Sequence, residues 1–317
     1  MPASPTAALA RADAPADDRR DREAPSGSPG GDTPAVPRAD AIPVSVIVMT
    51  KNEEANIAKC LRSVAEFDQV FVVDSGSTDR TNAIAAEHGA EVVDFRWNGR
   101  YPKKKQWCLE NLPFRHDWVI YVDADEEVGP TVAAEIRALL ARSGGPAHAG
   151  YFVGYDYVFL GRVLRHGRQV FKLVLMDRTR GRFEPYDDLD AQNMWEVEGH
   201  YQPVIDGTTG VLEARMLHAD HDSLFHYFDR HNRYSDWEAT IRLKGALDTA
   251  KEAQLPVRAW LKRAFDRMPM KGLLAFLDSY VFNLGFLDGR AGFHFAVARG
   301  VYFWQIGLKT RELRERR

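Results

Sequence analysis

Two aspartates one residue apart, Asp123 and Asp125, follow the apolar run Trp118-Val119-Ile120-Tyr121-Val122. Carboxylates emerging from a buried strand cost free energy unless a cation or hydrogen-bonding ligand offsets it. At this spacing both can reach one hard divalent ion. Mg2+ or Mn2+ takes few protein carboxylates and completes its shell with waters and phosphate oxygens. Standing alone, the pair also describes a solvated acidic turn or a helix start, where acids complement the helix dipole. Two more polar clusters stand in the same relation to apolar runs, Thr50-Lys51-Asn52-Glu53 and Asp74-Ser75-Gly76-Ser77-Thr78-Asp79. Lysines crowd at Lys103-Lys104-Lys105, without the glycine spacing of a phosphate-binding P-loop.

These clusters need a scaffold that gathers strand ends. Val44 to Met49 is β-branched and apolar, as a strand buried on both faces would be. Ile57, Cys60, Leu61 and Val64 recur at helical spacing, with Asn52 as the expected N-cap. Val70 to Val73 predicts a second strand, with Ser77 or Thr78 capping the helix that follows and stops near Gly89. Glu91 to Phe95 and Trp118 to Val122 predict a third and a fourth, and Pro130 opens a helix whose inner face holds Val132, Ile136, Leu139 and Leu140. Strands alternating with helices imply an α/β, doubly wound, largely parallel sheet. In such sheets ligands sit at the carboxyl ends of strands, near the reversal of strand order.

After Gly150 the pattern changes to strands (Tyr151 to Phe159, Val170 to Met176) and a polar stretch to Gly210, and from Ser223 it reads as helical. The expected organisation is therefore a disordered tail over 1–40, an α/β domain over 41–222, and a helical region over 223–317. Within the domain, 41–142 would hold the nucleotide and 143–222 would be a mixed insertion on the acceptor side.

Of the 317 residues 45% are hydrophobic and 27% charged, as in an ordinary folded domain. A net charge of −3 argues against a general polyanion binder, and no nucleic-acid partner is expected. Cys60 and Cys108 have neither zinc-finger nor disulfide-framework spacing and read as buried free thiols in a reducing compartment. The first 40 residues lack the continuous apolar stretch of a signal peptide. Near the other end, Arg258, Lys262, Arg263, Arg267 and Lys271 interleave with Trp260, Leu261, Phe265 and Met268, as on a helix lying on an anionic membrane surface. The apolar stretches from Leu273 to Leu287 and from Phe293 to Leu308 are interrupted by charge and fall short of the ~20 residues a span needs. An in-plane helical pair and an ordinary lid or dimer face both remain open.

The segments from Val46 to Glu54, from Val72 to Asp79 and from Val122 to Glu126 resemble, in order and spacing, family 2 glycosyltransferases of the GT-A fold, and most of all the lipopolysaccharide-core β-glucosyltransferase branch. The resemblance covers about residues 43–220. It implies a GT-A-like sheet and an inverting transfer from a nucleotide-diphosphate sugar, typically a UDP-sugar, to a glycan or lipid-linked acceptor. The expected location is cytoplasmic, peripheral at the inner membrane. By the same resemblance Thr50, Asn52 and Glu53 line the nucleoside pocket and Asp74 bonds the base. Asp79 lies by the ribose or fixes its loop, or simply starts a helix. Asp123 faces ribose and metal, Asp125 binds the metal, and Lys105 contacts the diphosphate. His218 would add a metal contact, since imidazole suits Mn2+. The chemistry is coherent, because departure of a diphosphate leaves negative charge that a cation and lysines stabilise.

An inverting transfer also needs a base for the acceptor hydroxyl. Where the resembling branch has V-H-E, this chain has Met194-Trp195-Glu196, which makes Glu196 the first candidate and Asp188 the second. Two other readings stand beside the transferase. A sugar nucleotidyltransferase would show a glycine-rich basic loop where Thr50-Lys51-Asn52-Glu53-Glu54 stands. A catalytically degenerate, nucleotide-binding scaffold would tolerate the altered base motif but not require Asp123 and Asp125.

Overall fold

The apolar runs become neighbouring strands because each carries more buried side chains than a solvent-facing strand could hide. A computed structural model describes residues 26–29, 40–191, 196–198, 202–219, 223–245 and 270–316. The first half contains β1 (Ser26–Pro29), β2 (Ile42–Thr50), α1 (Ile57–Ser63), β3 (Phe67–Asp74), α2 (Thr81–Glu87), β4 (Glu91–Arg96) and α3 (Lys104–Asn111). Next come β5 (Trp118–Asp123), β6 (Glu126–Glu127), α4 (Pro130–Leu140), β7 (Gly150–Phe159), β8 (Arg162–Leu164), β9 (Phe171–Asp177), β10 (Gly181–Arg182), β11 (Val204–Ile205) and β12 (Thr209–His218). The helices α5 (Leu224–Lys244), α6 (Lys271–Leu277) and α7 (Gly289–Glu315) follow, with a π turn (Asp278–Phe282) and a 3-10 turn (Gly285–Asp288) between the last two.

One sheet runs β1-β4-β3-β2-β5-β9-β7-β12-β6, with β8 on β7. β4, β3, β2 and β5 are mutually parallel, whereas β9 is antiparallel to both β5 and β7. Strand order reverses between β2 and β5, which opens the crevice in which doubly wound sheets bind ligands. Register then fixes the site. Thr50 lies beside Asp74, and Met49 beside Asp123, so the three polar clusters share one end of the sheet. Val46, Ile47, Val48, Val72, Ile120 and Val122 are fully buried beneath it. Each such side chain contributes about 1.5–3 kcal/mol on leaving water.

Within the tail expected to be disordered, residues 26–29 instead pair antiparallel with β4, Ser26 opposite Arg96. An edge strand presents unpaired N–H and C=O groups that any extended segment can satisfy. Asn52 also departs from expectation. It is no N-cap, because α1 begins five residues later, and it adopts a left-handed φ of 57°. Nor does Ser77 or Thr78 cap α2. Asp79 accepts from the Thr81 amide at its start.

The C-terminal helices form a separate layer in which α7 packs on α5 and α6. Close approach depends on small residues: a Cβ on Gly272 would lie 2.7 Å from the Gly300 carbonyl oxygen. Among the described residues no helix is long and apolar enough to cross a membrane.

Candidate active site at the reversal of strand order

The loops after β2 and β3 are laced together by their own polar groups. The Thr50 hydroxyl donates to Asp74 Oδ1 (3.0 Å), as does that of Ser77 (2.5 Å). Asp74 Oδ2 accepts from the Ser77 amide (2.7 Å) and from Asn82 Nδ2 (3.1 Å). Burial would raise this carboxyl, but those hydrogen bonds outweigh it and hold the pKa below the ordinary value. A carboxylate has about four lone-pair sites, and four donors fill them here. Through these four bonds Asp74 ties the loop after β3 to the end of β2.

Asn52 crosses between the loops, its amide donating to Ser77 Oγ (2.7 Å) and its Oδ1 accepting from the Thr78 amide (2.8 Å). Asp79 Oδ2 accepts from the Glu54 amide (3.1 Å), and the Glu53 amide donates to Thr81 Oγ1 (2.8 Å). Asp79 thus bonds both the start of α2 and the loop after β2.

Lys104 and Lys105 diverge because successive residues of a helix point about 100° apart, and Lys103 precedes α3 in an extended conformation. Lys104, buried, donates to the Thr50 carbonyl (3.1 Å) and to Ser75 Oγ (2.8 Å), and burial lowers its ammonium pKa. Lys105 holds its ammonium 5.9 Å from the Tyr121 ring centroid and 5.7 Å from that of Phe183. Lys103 points away into a buried pair with Asp188 Oδ2 (2.7 Å).

Asp188 also accepts from Trp237 Nε1 (2.9 Å) and from the Tyr101 hydroxyl, and is wholly buried. Asp188, the second candidate base, thus sits among three donors and ties Lys103, Tyr101 and Trp237 together. Glu196 sits at the start of α3, its carbonyl accepting from the Lys104 amide (2.8 Å), with its side chain half-buried. Two residues on, Glu198 accepts from the Lys105 amide (2.7 Å) and the Gln106 amide (3.1 Å) and so caps α3. Burial raises its pKa. The partners of Glu196 in the V-H-E position, Met194 and Trp195, lie outside the described residues.

The acidic turn after β5 gathers the rest. Asp123 Oδ2 accepts from Lys172 Nζ (2.9 Å), which also donates to Glu126 Oε1 (2.6 Å). Glu126 Oε2 further accepts from the Tyr155 hydroxyl (3.2 Å) and the Asp123 amide (3.1 Å). His218, last residue of β12, stands opposite Glu126 in register. Its Nε2 lies 3.7 Å from Asp125 Oδ2. Burial lifts the Asp125 carboxyl to about 6 against the pull of His218, with Asp123 and Glu126 adding to the rise. At Asp123 burial acts the same way, but Lys172 and Lys105 outweigh it and hold that carboxyl well below the usual range. The His218 imidazole is lowered by burial and raised more by Asp125 and Glu126. Environments that push two neighbouring acids apart are a common mark of functional sites. Cys60 lies behind the turn, its buried thiol raised well above the ordinary value and hence unreactive.

This donor set fits a divalent cation. His218 Nε2 lies beyond hydrogen-bond length from Asp125, and the buried Nδ1 likewise stands 3.7 Å from Glu126 Oε1 without a hydrogen bond, so carboxylates flank the imidazole at a spacing that an ion could bridge. Carboxylate and imidazole together suit Mn2+, and carboxylate alone suits Mg2+. Among the described residues no three His, Cys, Asp or Glu side chains converge to cage an ion. An ion that draws most of its shell from phosphate and water needs no cage.

Lys172 is a member that sequence reasoning missed, whereas Glu126 and Lys104 lay inside clusters it singled out but received no role of their own. A signal for Lys172 existed, since it is a charged residue inside the apolar strand Phe171–Asp177, and lysine is almost never buried unless paired.

The sequence profile of glycosyl transferase family 2 matches residues 45–202. An uncharacterized glycosyltransferase of Rickettsia felis is 39% identical over 109 residues, 34% of this chain and 38% of that one. The lipopolysaccharide core biosynthesis glycosyltransferase LpsC of Rhizobium meliloti is 30% identical over 153 residues, 45% of this chain and 54% of that one. The match thus spans from about two fifths to about half of the length of these relatives. A glucosyl-3-phosphoglycerate synthase of Mycobacterium tuberculosis, crystallised with Mn2+ and uridine diphosphate, is 27% identical over 37% of this chain and 44% of that one. The TM-score between the two is 0.27. With the parallel half-sheet, its reversal point and the acidic turn all inside the matched residues, this chain belongs to glycosyl transferase family 2.

Proposed function

We propose that the chain is a metal-dependent, inverting transferase that moves a sugar from a nucleoside-diphosphate donor, a UDP-sugar, to a glycan or lipid-linked acceptor of a bacterial-type cell envelope. The observation that carries this reading is the facing pair Asp125 and His218, beside Asp123, at the reversal of strand order. The crevice provides for both halves of the donor. Thr50, Asn52 and Glu53 hold the nucleoside end through the rigid double loop that Asp74 and Asp79 organise.

Asp125 and His218 would hold a divalent ion, with Asp123 facing ribose and ion. That ion would supply positive charge to the diphosphate as it departs. Lys105 extends the same field, and Lys104 keeps Ser75 and the end of β2 in place. Glu196 is the proposed base, taking the proton of the acceptor hydroxyl as it attacks. We place the enzyme at the cytoplasmic face of the inner membrane, where a lipid-linked acceptor would be met. The relationship to a lipopolysaccharide-core enzyme supports that acceptor class.

The test is release of nucleoside diphosphate from a panel of nucleotide sugars, with Mg2+ or Mn2+ and with chelator. Turnover should stop with chelator and fall by about a hundredfold or more in Asp125→Ala. Turnover that ignores both would overturn the proposal. Pyrophosphate release from a nucleoside triphosphate and a sugar phosphate would make the protein a nucleotidyltransferase instead.

A further inference from the structure

Outward-facing residues of α7 form one apolar stripe. Phe293, Val297, Val301, Trp304 and Leu308 are all exposed and recur at intervals of three or four residues, the spacing of one helix face. The link between α6 and α7 continues the stripe at its N-terminal end, where Phe282, Leu284, Phe286 and Leu287 are exposed. Phe282 is 77% exposed and Trp304 59%. Neighbouring apolar side chains left in water to this degree mark an interaction surface rather than ordinary scatter.

The rest of α7 is already engaged. Ala296, Gly300 and Ile306 are buried, and Phe295, on the side away from the stripe, packs toward the candidate site. Its ring centroid lies 6.1 Å from that of Tyr157, which in turn lies 4.8 Å from that of His218. One helix therefore separates the acidic turn from the exposed stripe.

We propose that α6, the turns after it and α7 form an in-plane docking face for an anionic lipid bilayer, which holds the transfer site against the membrane surface. Charge complementarity selects this occupant. The described residues of this face, 270–316, carry seven Lys and Arg against four Asp and Glu, in a chain whose net charge is −3. An exposed apolar stripe with a basic end is the pattern of a helix lying at the headgroup boundary, buried by ~5–10 Å. No described helix is built to span instead. Docking needs no transferase activity. Only the acceptor's approach from the bilayer side rests on the function proposed above.

Full-length protein is sedimented with vesicles of phosphatidylcholine alone or mixed with phosphatidylglycerol, at low and high salt. It should pellet with the anionic vesicles, more strongly at low salt. The double variant Phe282→Ser, Trp304→Ser should bind at least about tenfold more weakly, with hydrolysis of a soluble nucleotide sugar unchanged. Wild-type protein left in the supernatant with anionic vesicles at low salt would overturn the proposal, as would undiminished binding by the variant. Sedimentation equilibrium that shows a lipid-free dimer, split by the same substitutions, would assign the face to a second copy and overturn it too. Vesicle binding without any nucleotide-sugar hydrolysis would leave docking standing and remove the transferase reading.

Discussion

At the scale of single residues, the acids of this chain divide by what already occupies their lone pairs. Asp188 answers a buried ammonium and two further donors. Removing one partner of a buried ion pair costs about 3–5 kcal/mol, because the other charge is left unpaired. Asp188→Ala should therefore lower Tm by about 10 °C in calorimetry, whereas a similar substitution at Glu196 should cost turnover with Tm nearly unchanged. Asp74 gives a pH signature. Its folded pKa lies below the unfolded value, so its contribution is full above the ordinary carboxylate range and lost as pH falls through the folded value. In denaturant titrations from pH ~5 downward, Asp74→Asn should flatten the loss of stability seen in the wild type. An unchanged slope would mean that its four hydrogen bonds do not discriminate the charged form.

Among elements, α7 is the joint between the helical layer and the sheet. Lys309 fixes it to α5, donating to the Asn232 carbonyl (2.8 Å) and to Ser235 Oγ (2.8 Å) and pairing with Asp236 (2.6 Å). Two glycines of this helix should respond oppositely to alanine. A Cβ on Gly292 would fall 2.0 Å from the Gly285 carbonyl oxygen, and backbone must move to admit it. A Cβ on Gly307 meets nothing within 4 Å. Gly292→Ala should destabilise by about 1–3 kcal/mol, and Gly307→Ala should stabilise by about 0.5–1 kcal/mol through helix propensity. Chemical denaturation of the two variants side by side tests whether helix contact or propensity governs this layer.

For the whole molecule, the proposed site and the proposed docking face sit on opposite sides of one helix. Transfer to a lipid-linked acceptor should then rise when anionic vesicles are added and fall as salt screens the basic end. Hydrolysis of the same nucleotide sugar in solution should respond to neither. Equal vesicle and salt responses in both assays would show that lipid acts on the chemistry itself rather than on acceptor delivery.

The strands of the parallel half-sheet and the order of the three polar clusters were determined by sequence alone, because burial periodicity and turn chemistry are written within a few neighbouring residues. The same locality explains why Asp123 and Asp125 could be singled out as emerging from an apolar strand. Which acids remain available was decided only by the tertiary structure. The Lys172 ammonium reaches Asp123 from a strand 49 residues downstream, and Trp237 reaches Asp188 across another 49. Spacing along the chain does not encode these partnerships. They follow from sheet order and helix phase, which place one side chain against another only when the whole core has closed.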